Sequence, residues 1–565
     1  MSKIGKQLIM TQLVYDQGEA KIITIEKHED KDGNVTKHAV FDNDPSFTFY
    51  KLNDDEEELT YPKMFIERDR LHPITCSYDN LFKTLAKETK QVKWYKRMID
   101  ERKRNKLRKL HHNYNIFLSD VHLADYKMEE WRRSYLDVIK PIPLTKAFSD
   151  IEVDIYNYEG FPVPEVAPCE VNFISYVNEH TDIIKAFVLY NPENPSMVKF
   201  LKTHIKDFAS WDGKINQDTH PWANKMLKKR FQEEKYHKFG TFEVQFFEDE
   251  LELIAAYMNK VNEDKPDFNT FWNAYFDIKT FEQRIINLGG DPVELFCPKE
   301  FPYKKVQIIE DSFAADISDK GHTFDISCYT HWCDLLYFFA SNRKAKGKRD
   351  SWKLQDILLA EIGESKYDDF EGDIKTGAYT DFEGFLFYSL YDSYRMYQLE
   401  AKCKDIDSFY IYAMTTNTRL HKAMKKTTSI RNLGIYFLKD EGYILSNNHN
   451  VFLEHEKVKF RGAFVLDPNK MGNTGIKLNG VPTNNIFEDA IDEDLSSMYP
   501  SIILACAIDN ETLIGKIWEE DADNPIYEHF GEYLLESEGI FKPCVVYLGL
   551  KSDTEVLDKL DMFLD

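Results

Sequence analysis

Apolar and polar positions alternate with period two in three neighbouring segments: AFSDIEVDI (147–155), CEVNFISYV (169–177) and IIKAFVLY (183–190). Such alternation predicts strands. A Pro/Gly loop and a polar loop separate the three, so an antiparallel meander is expected. Upstream, to about residue 140, shorter alternating stretches (KIITIEKHED, 21–30; HAVFDNDPSFTFYKL, 38–52) precede a basic run of helical character, and PIPLTK (141–146) marks the change. Downstream the period becomes that of a helix. FEDELELIAAYMNKV (247–261) has an acidic first turn and apolar residues at helical spacing. A strand-like stretch then runs into WNAYFD (272–277), and helix resumes at IKTFEQRIINLGG (278–290), closed by Gly289 and Gly290. A meander followed by alternating helix and strand predicts the α/β (α+β) class, a mixed sheet with helices in a nuclease-like layout. No internal repeat is visible.

Composition narrows the class. The 565 residues, 43% hydrophobic and 14% aromatic, suffice for about three or four domains with ample core and exclude intrinsic disorder. With 24 Gly and 20 Pro, collagen-like and low-complexity chains are excluded too. No uncharged apolar stretch approaches the roughly 20 residues that cross a bilayer, and MSKIGKQLIM lacks the apolar core and cleavage site of a signal peptide. A cytosolic protein without a membrane partner is expected. The eight cysteines, at 76, 169, 297, 328, 333, 403, 506 and 544, follow no regular framework, which favours reduced thiols. Cys328-x-x-His331-x-Cys333, with His322 nearby, has poor spacing for a zinc knuckle and is expected to be reduced core.

The net charge of −24, from 72 Lys and Arg against 96 Asp and Glu, argues against a polyanion partner only on average. Locally the chain is strongly basic in KQVKWYKRMIDERKRNKLRKLHH (90–112), NRKAKGKR (342–349) and KAMKKTTSIR (422–431). Any one of these runs is also what a solvated helix face or loop looks like. The acidic excess, in turn, suits carboxylates that gather divalent cations.

Asp150 and Glu152 lie two apart in strand-like sequence, so both project from one face while Ile151 points to the other. Two acids on one face repel each other unless a cation sits between them. Asp277 closes Asn273-Ala-Tyr-Phe-Asp277 at a strand–helix junction. Tyr388 and Asp392, in YSLYDSYRMYQLEAK, are four apart and neighbours on one face of a predicted helix.

Taken in order, D-x-E, N-A-x-F-D and Y-x-x-x-D resemble the 3′-to-5′ exonuclease superfamily named for its four acids, the DEDD group, in its Tyr-containing variety. The resemblance implies a ribonuclease H-like fold with two divalent ions, Mg²⁺ or Mn²⁺, about 4 Å apart. Asp150, Glu152 and Asp392 would hold the first ion, and Asp150 would bridge to the second. Asp277 would complete the cluster, Asn273 would help position it, and Tyr388 would orient the attacking water.

Near the end, DLSSMYPSII (494–503) resembles motif A of family B DNA polymerases. FPVPEVAPCEV (161–171), SWKLQDILLAEIGE (351–364) and FRGAFVLDP (460–468) extend the likeness, which is strongest to the replicative polymerases of large tailed phages. It implies that Asp494 holds the polymerase metals, that the Leu495 carbonyl completes their shell, and that Ser496, Ser497 and Met498 lie along an incoming dNTP. Tyr499 would pack under its sugar. The family's motif B, K-x-x-x-N-S-x-Y-G, and motif C, Y-G-D-T-D-S, do not occur; Lys551-Ser-Asp-Thr-Glu555 reads as a surface turn.

The expected organisation is an N-terminal domain (1–146, completed by 408–462), a 3′-to-5′ exonuclease domain (147–407) and a first palm segment (463–565). The expected protein is the amino-terminal subunit of a split DNA-directed DNA polymerase, in the host cytoplasm if phage-encoded. Its expected partners are DNA primer-template and single-stranded 3′ ends, a second chain bearing motifs B and C, and a sliding clamp. The rival readings are an autonomous single-strand exonuclease with a DNA-gripping palm remnant and a non-catalytic DNA-holding scaffold.

Overall fold

The alternating stretches at the start of the chain pair with one another. In this computed structural model, β1 (Ile4–Asp16) and β2 (Glu19–Glu29) form an antiparallel ribbon. Its two-residue turn, Gln17-Gly18, has positive φ at both positions (49° and 87°), the backbone twist that closes a tight hairpin. β3 (Val35–Asp42) extends this sheet. β4 (Ser46–Leu52), β5 (Phe65–Glu67) and β6 (Leu71–Ser77) follow, then α1 (Leu81–Glu88) and α2 (Val92–Asp100). The basic run does not continue as one helix. Arg102 takes a positive φ of 54°, and residues 104–112 wind into a 3₁₀ turn that sends Leu107 and Leu110 inward. β7 (Ile116–Phe117) pairs with β4, α3 (Leu123–Tyr135) packs on β1, and β8 (Ile139–Lys140) pairs in parallel with β1.

The structure describes residues 4–448 except 61–62, 136–138, 205–220, 233–237, 315, 347–348, 350, 368 and 424, together with the backbone of five short strands after residue 476. The chain divides into two compact units, residues 1–456 and 457–565. In the second, Lys477–Leu478 pairs with Val481–Pro482, and Val545–Tyr547 pairs with both Lys516–Ile517 and Glu532–Leu534.

The three period-two segments are the strands β9 (Lys146–Val153), β10 (Val171–Asn178) and β11 (Ile183–Leu189), joined as an antiparallel meander. After α4 (Pro195–His204) and α5 (Pro221–Gln232) comes β12 (Thr241–Phe247), parallel to β11. α6 (Glu250–Asp264), capped by the Asp249 carboxylate, leads into β13 (Phe268–Phe271), parallel to β9. α7 (Ala274–Asn287) begins four residues earlier than the apolar periodicity predicts and closes at Gly289, φ 79°. α8 (Pro292–Phe296), the hairpin β14 (Val306–Ile309) and β15 (Thr323–Ile326), and β16 (His331–Asp334), parallel to β13, complete a six-stranded mixed sheet of order β12-β11-β10-β9-β13-β16. The mixed α/β class read from the sequence is what the chain adopts.

Alternation gives β9 two different cores. Ala147 and Ile151 face a cluster with α6, α7 and α8, whereas Phe148 faces a larger one. That second face is covered by α9 (Leu335–Asn342), α10 (Leu354–Ile362), α11 (Gly377–Thr380), α12 (Phe382–Cys403) and α13 (Asp405–Thr415). α14 (Lys426–Asp440) and β17 (Tyr443–Leu445) return to the N-terminal sheets, where β17 pairs with β5. Eighteen of the 22 residues of α12 are buried. At about 1.5–3 kcal/mol for each large apolar side chain, the burial of this helix anchors the sheet face carrying the acids. Gly384 lets its first turn close, because a Cβ there would overlap Asp381 and Phe370. Among the described residues, no helix is long and apolar enough to cross a membrane.

Asp267, fully buried at the start of β13, receives Lys27 (2.7 Å) and Lys37 (2.6 Å) from the N-terminal sheet. Burial alone would raise its pKa; the two ammonium groups reverse that and hold it below the usual carboxylate range. This ionic clip joins the N-terminal sheet to the start of β13, an interior strand of the six-stranded one.

Candidate active site

α12 is pinned to β9 and to the neighbouring β10, and the acids lie between the helix and the sheet. Lys146 at the start of β9 bonds Glu400 (2.9 Å) and Asp407 (2.8 Å). Farther along, the buried hydroxyls of Ser175 on β10 and Ser393 on α12 meet at 2.7 Å, small residues that let the helix approach the sheet closely. Behind β9, Ser149, Tyr257 and Asn269 form a buried triangle of hydrogen bonds of 2.8–2.9 Å, which holds β9 in register with β13. With both elements fixed, Asp150 and Glu152 on β9 and Asp392 on α12 converge, and one carboxylate oxygen from each lies within 4.8 Å of the others. Among the described residues no other group of three or more potential ligands is this close.

Asp277 approaches from the opposite element. β13 stops at Phe271, and Asn273 takes a left-handed conformation (φ 66°, ψ 50°) that turns the chain into α7. Asp277 therefore sits in the first turn of that helix, 4% exposed, near Asp150. It stands outside the 4.8 Å triad. The turn is held by Asp334, the N-cap of α9, whose carboxylate accepts from the N–H groups of Asn273 (3.1 Å), Leu336 (2.9 Å) and Tyr337 (3.4 Å). Tyr388, 8% exposed, lies one helical turn before Asp392 with its ring against Phe370 and Phe385.

The cluster is electrostatically uneasy. Burial, then the charge of Asp392, pushes the Asp150 carboxyl up to about 8. Burial and the neighbouring acids push Glu152 and Asp277 well above their ordinary range, and burial raises Asp392. Burial and the same acids drive the Tyr388 phenol far up, so it remains a neutral hydroxyl. Among the described residues, a single lysine answers them. Lys366, in the loop after α10, reaches Asp392 Oδ2 at 2.5 Å and is kept charged by Asp392, Asp150 and Glu152 against its own burial.

Comparison with known proteins assigns this region. Residues 147–357 match the model of the DNA polymerase family B exonuclease domain. The chain carries a family B polymerase exonuclease domain. Over 427 residues it is 22% identical to the DNA-directed DNA polymerase of Escherichia phage RB69, a match covering 75% of this chain and 40% of that polymerase. The chain thus spans well under half the length of this relative. Asp150, Glu152, Asn273 and Asp277 fall inside the stretch matched to the exonuclease domain; Lys366, Tyr388 and Asp392 lie beyond it.

The residues of this exonuclease domain fit a divalent cation. Every donor in the triad is a carboxylate oxygen, a set suited to Mg²⁺ or Mn²⁺, and Asp392 Oδ1 is buried without a hydrogen-bond partner among the described residues. The cysteine cluster does not fit a metal. Cys328 and Cys333 sit in two different cores, burial raises both thiols, and His331 Nε2 is engaged by the Ile9 carbonyl at 3.0 Å. Cys76, Cys169, Cys297, Cys328, Cys333 and Cys403 are free. Asp494, Leu495, Ser496, Ser497, Met498 and Tyr499 lie outside the described residues, as do 460–468, 551–555, Cys506 and Cys544.

A stability test follows from the charges. Because the folded-state pKa of Asp150 is raised, its contribution to stability is full below the unfolded pKa and is lost as pH rises through about 8. Asparagine stays neutral throughout. In chelator, the melting temperature of Asp150→Asn is expected to exceed that of the unaltered chain by several degrees at about pH 8 and by a markedly smaller margin at about pH 5. Each unit of pKa displacement corresponds to about 1.4 kcal/mol. Thermal unfolding at the two pH values checks this; an equal melting temperature at both would show that the acids are not in conflict.

Proposed function

We propose that the cluster is the centre of a two-metal 3′-to-5′ proofreading exonuclease, and that the chain serves a family B DNA-directed DNA polymerase whose motifs B and C come from residues outside these 565. The observation that carries the nuclease reading is the convergence of Asp150, Glu152 and Asp392 with an unpartnered buried oxygen. Asp150, Glu152 and Asp392 would hold one divalent cation, and Asp150 with Asp277 a second. When bound, the two ions supply the Lewis acidity that lowers the pKa of the attacking water and stabilises the leaving 3′ oxygen.

The protein's own groups do the rest. Tyr388, kept neutral, offers a hydroxyl to orient the water on its way to the terminal phosphorus. Lys366, held charged beside Asp392, places a positive group where negative charge builds on the phosphoryl oxygens. Asp334 acts indirectly, as a positioning residue that fixes the Asn273 turn and hence Asp277.

The domain division 1–146 with 408–462, 147–407 and 463–565 goes with this reading. It is supported by the pairing of β17 with β5 and by the core that Ile435 and Ile444 share with the N-terminal strands. Motif A, at Asp494 to Tyr499, would serve polymerisation together with motifs B and C from residues outside these 565, with Asp494 as metal ligand and Ser496, Ser497, Met498 and Tyr499 against the dNTP.

Primer extension tests the polymerase half. The chain alone is expected to degrade single-stranded 3′ ends in Mg²⁺ without extending a primer. Adding a chain with motifs B and C restores synthesis, which Asp494→Ala abolishes while leaving nucleotide release intact. Extension by the chain alone, or synthesis that survives Asp494→Ala, contradicts the assignment.

A further inference from the structure

The loop that carries Lys366 lies along α12 and is tied to it repeatedly. Lys402 donates to the Glu361 carbonyl, Arg395 donates to the Ser365 carbonyl (3.2 Å) and faces Glu364 (3.5 Å), and Lys366 meets Asp392. All of these ties come from one helix. They leave the outer side of the loop, where Tyr367 projects, to be held from elsewhere.

α5, in the crossover between β11 and β12, supplies that hold. Near its end, Phe231 stacks on Tyr391 (4.9 Å, 18° between ring planes), and Tyr391 stacks in turn on Tyr367 (5.2 Å, 19°). Beside Phe231, the Arg230 guanidinium stands 5.3 Å from the centre of the Tyr367 ring and 5.6 Å from that of Phe387. A cation at such distances from an aromatic face is attracted to it. Both rings adjoin the carboxylate site in sequence, since Tyr367 follows Lys366 and Phe387 precedes Tyr388. Arg230 Nε is buried without a hydrogen-bond partner among the described residues, as suits a guanidinium seated on ring faces. Arg230 and Tyr367 also border a cavity of about 500 Å³. Without the guanidinium, Tyr367 would face open space on that side.

We infer that Arg230 is a positioning residue for the carboxylate site: by clamping Tyr367 against α12 it keeps Lys366 on Asp392. The inference rests on the nuclease reading for what Lys366 does during the reaction, and on the contacts above for how it is placed. Removing the clamp has two opposed consequences. Lys366 competes with a divalent cation for the Asp392 carboxylate, so its departure strengthens cation binding; it also faces the charge that builds on the phosphoryl oxygens, so its departure slows turnover. A merely loosened fold would weaken both.

The test uses the full chain in EDTA and acetylation by N-hydroxysuccinimidyl acetate, read lysine by lysine by mass spectrometry. In Arg230→Ala, local opening of the loop is expected to speed modification of Lys366 at least about fivefold. Arg230→Lys keeps a cation over the rings and should restore much of the protection. Lys146, bound to Glu400 and Asp407 farther along, should react at its unaltered rate. Lys228→Ala, an exposed change on the same helix, should alter neither lysine. A Mn²⁺ titration gives the second readout. Arg230→Ala is expected to lower the Mn²⁺ Kd about threefold and to slow Mg²⁺-dependent nucleotide release at saturating substrate about tenfold, and in a Lys366→Ala background to change neither, because residues that act through one another are not additive.

Unchanged labelling of Lys366 in Arg230→Ala overturns the inference. Equal acceleration at Lys146, or an Arg230→Ala effect that persists in full without Lys366, overturns it too. The two readings fail separately. If the nuclease reading fails, the unaltered chain releases no nucleotide in Mg²⁺, yet Arg230→Ala still exposes Lys366. If the clamp fails, release occurs and the labelling of Lys366 does not respond to Arg230.

Discussion

Asp150→Ala combined with Glu152→Ala is expected to abolish Mg²⁺-dependent release of nucleotides from a single-stranded 3′ end, a loss of at least about 10³-fold. Two-metal chemistry needs carboxylates from separate elements, and these two are the contribution of β9 to the triad with Asp392. Without them Asp392 is left with Lys366 as its 2.5 Å ionic partner, so the site becomes a satisfied ion pair with little reason to take up a divalent cation. The same removal relieves repulsion, so the double variant is expected to fold at least as well as the unaltered chain. Loss of activity with retained or raised melting temperature separates a catalytic role from a structural one; undiminished release refutes the assignment. Stability gained when functional acids are removed is the expected trade.

Much of this site was legible because its chemistry is local. D-x-E on a strand and Y-x-x-x-D on a helix place side chains by backbone period alone, and β9 and α12 present Asp150, Glu152 and Asp392 as those periods require. The meander of β9, β10 and β11 was legible for the same reason, its ends shifted by one or two residues. What escaped depends on distant contacts. Lys366 belongs to no periodic segment and acquires its place only when the loop after α10 folds against α12. Asp334 sits one residue past Cys333 in a segment that reads only as reduced core; its capping of α9 and grip on Asn273 come from β16 lying beside β13. The early start of α7 was hidden because Asn273 enters it through a left-handed backbone, which apolar periodicity does not report. The basic run has helical character in sequence, but the positive φ at Arg102 breaks it so that Leu107 and Leu110 can reach the core.

The second large effect concerns the ions themselves. Four acids of this domain carry raised pKa values in the absence of metal, and Asp392 Oδ1 has no hydrogen-bond partner among the described residues. Binding of divalent cations resolves both features at once, because it restores the ionised state of the acids and supplies the missing contact. Uptake should therefore release protons near neutral pH and raise the melting temperature in proportion to the occupied fraction. Asp277 faces Asp150 from α7, outside the triad, so a second ion depends on Asp150 serving both sides. Asp277→Ala is expected to remove the weaker binding event and Asp150→Ala both.

The most direct measurement is a Mn²⁺ titration followed by electron paramagnetic resonance, on the full chain and on Asp150→Ala. Two bound ions per chain at saturation, magnetically coupled to each other, are expected, with loss of both in the variant. A chain that binds no manganese, or one that binds it equally well without Asp150, would contradict the two-ion site.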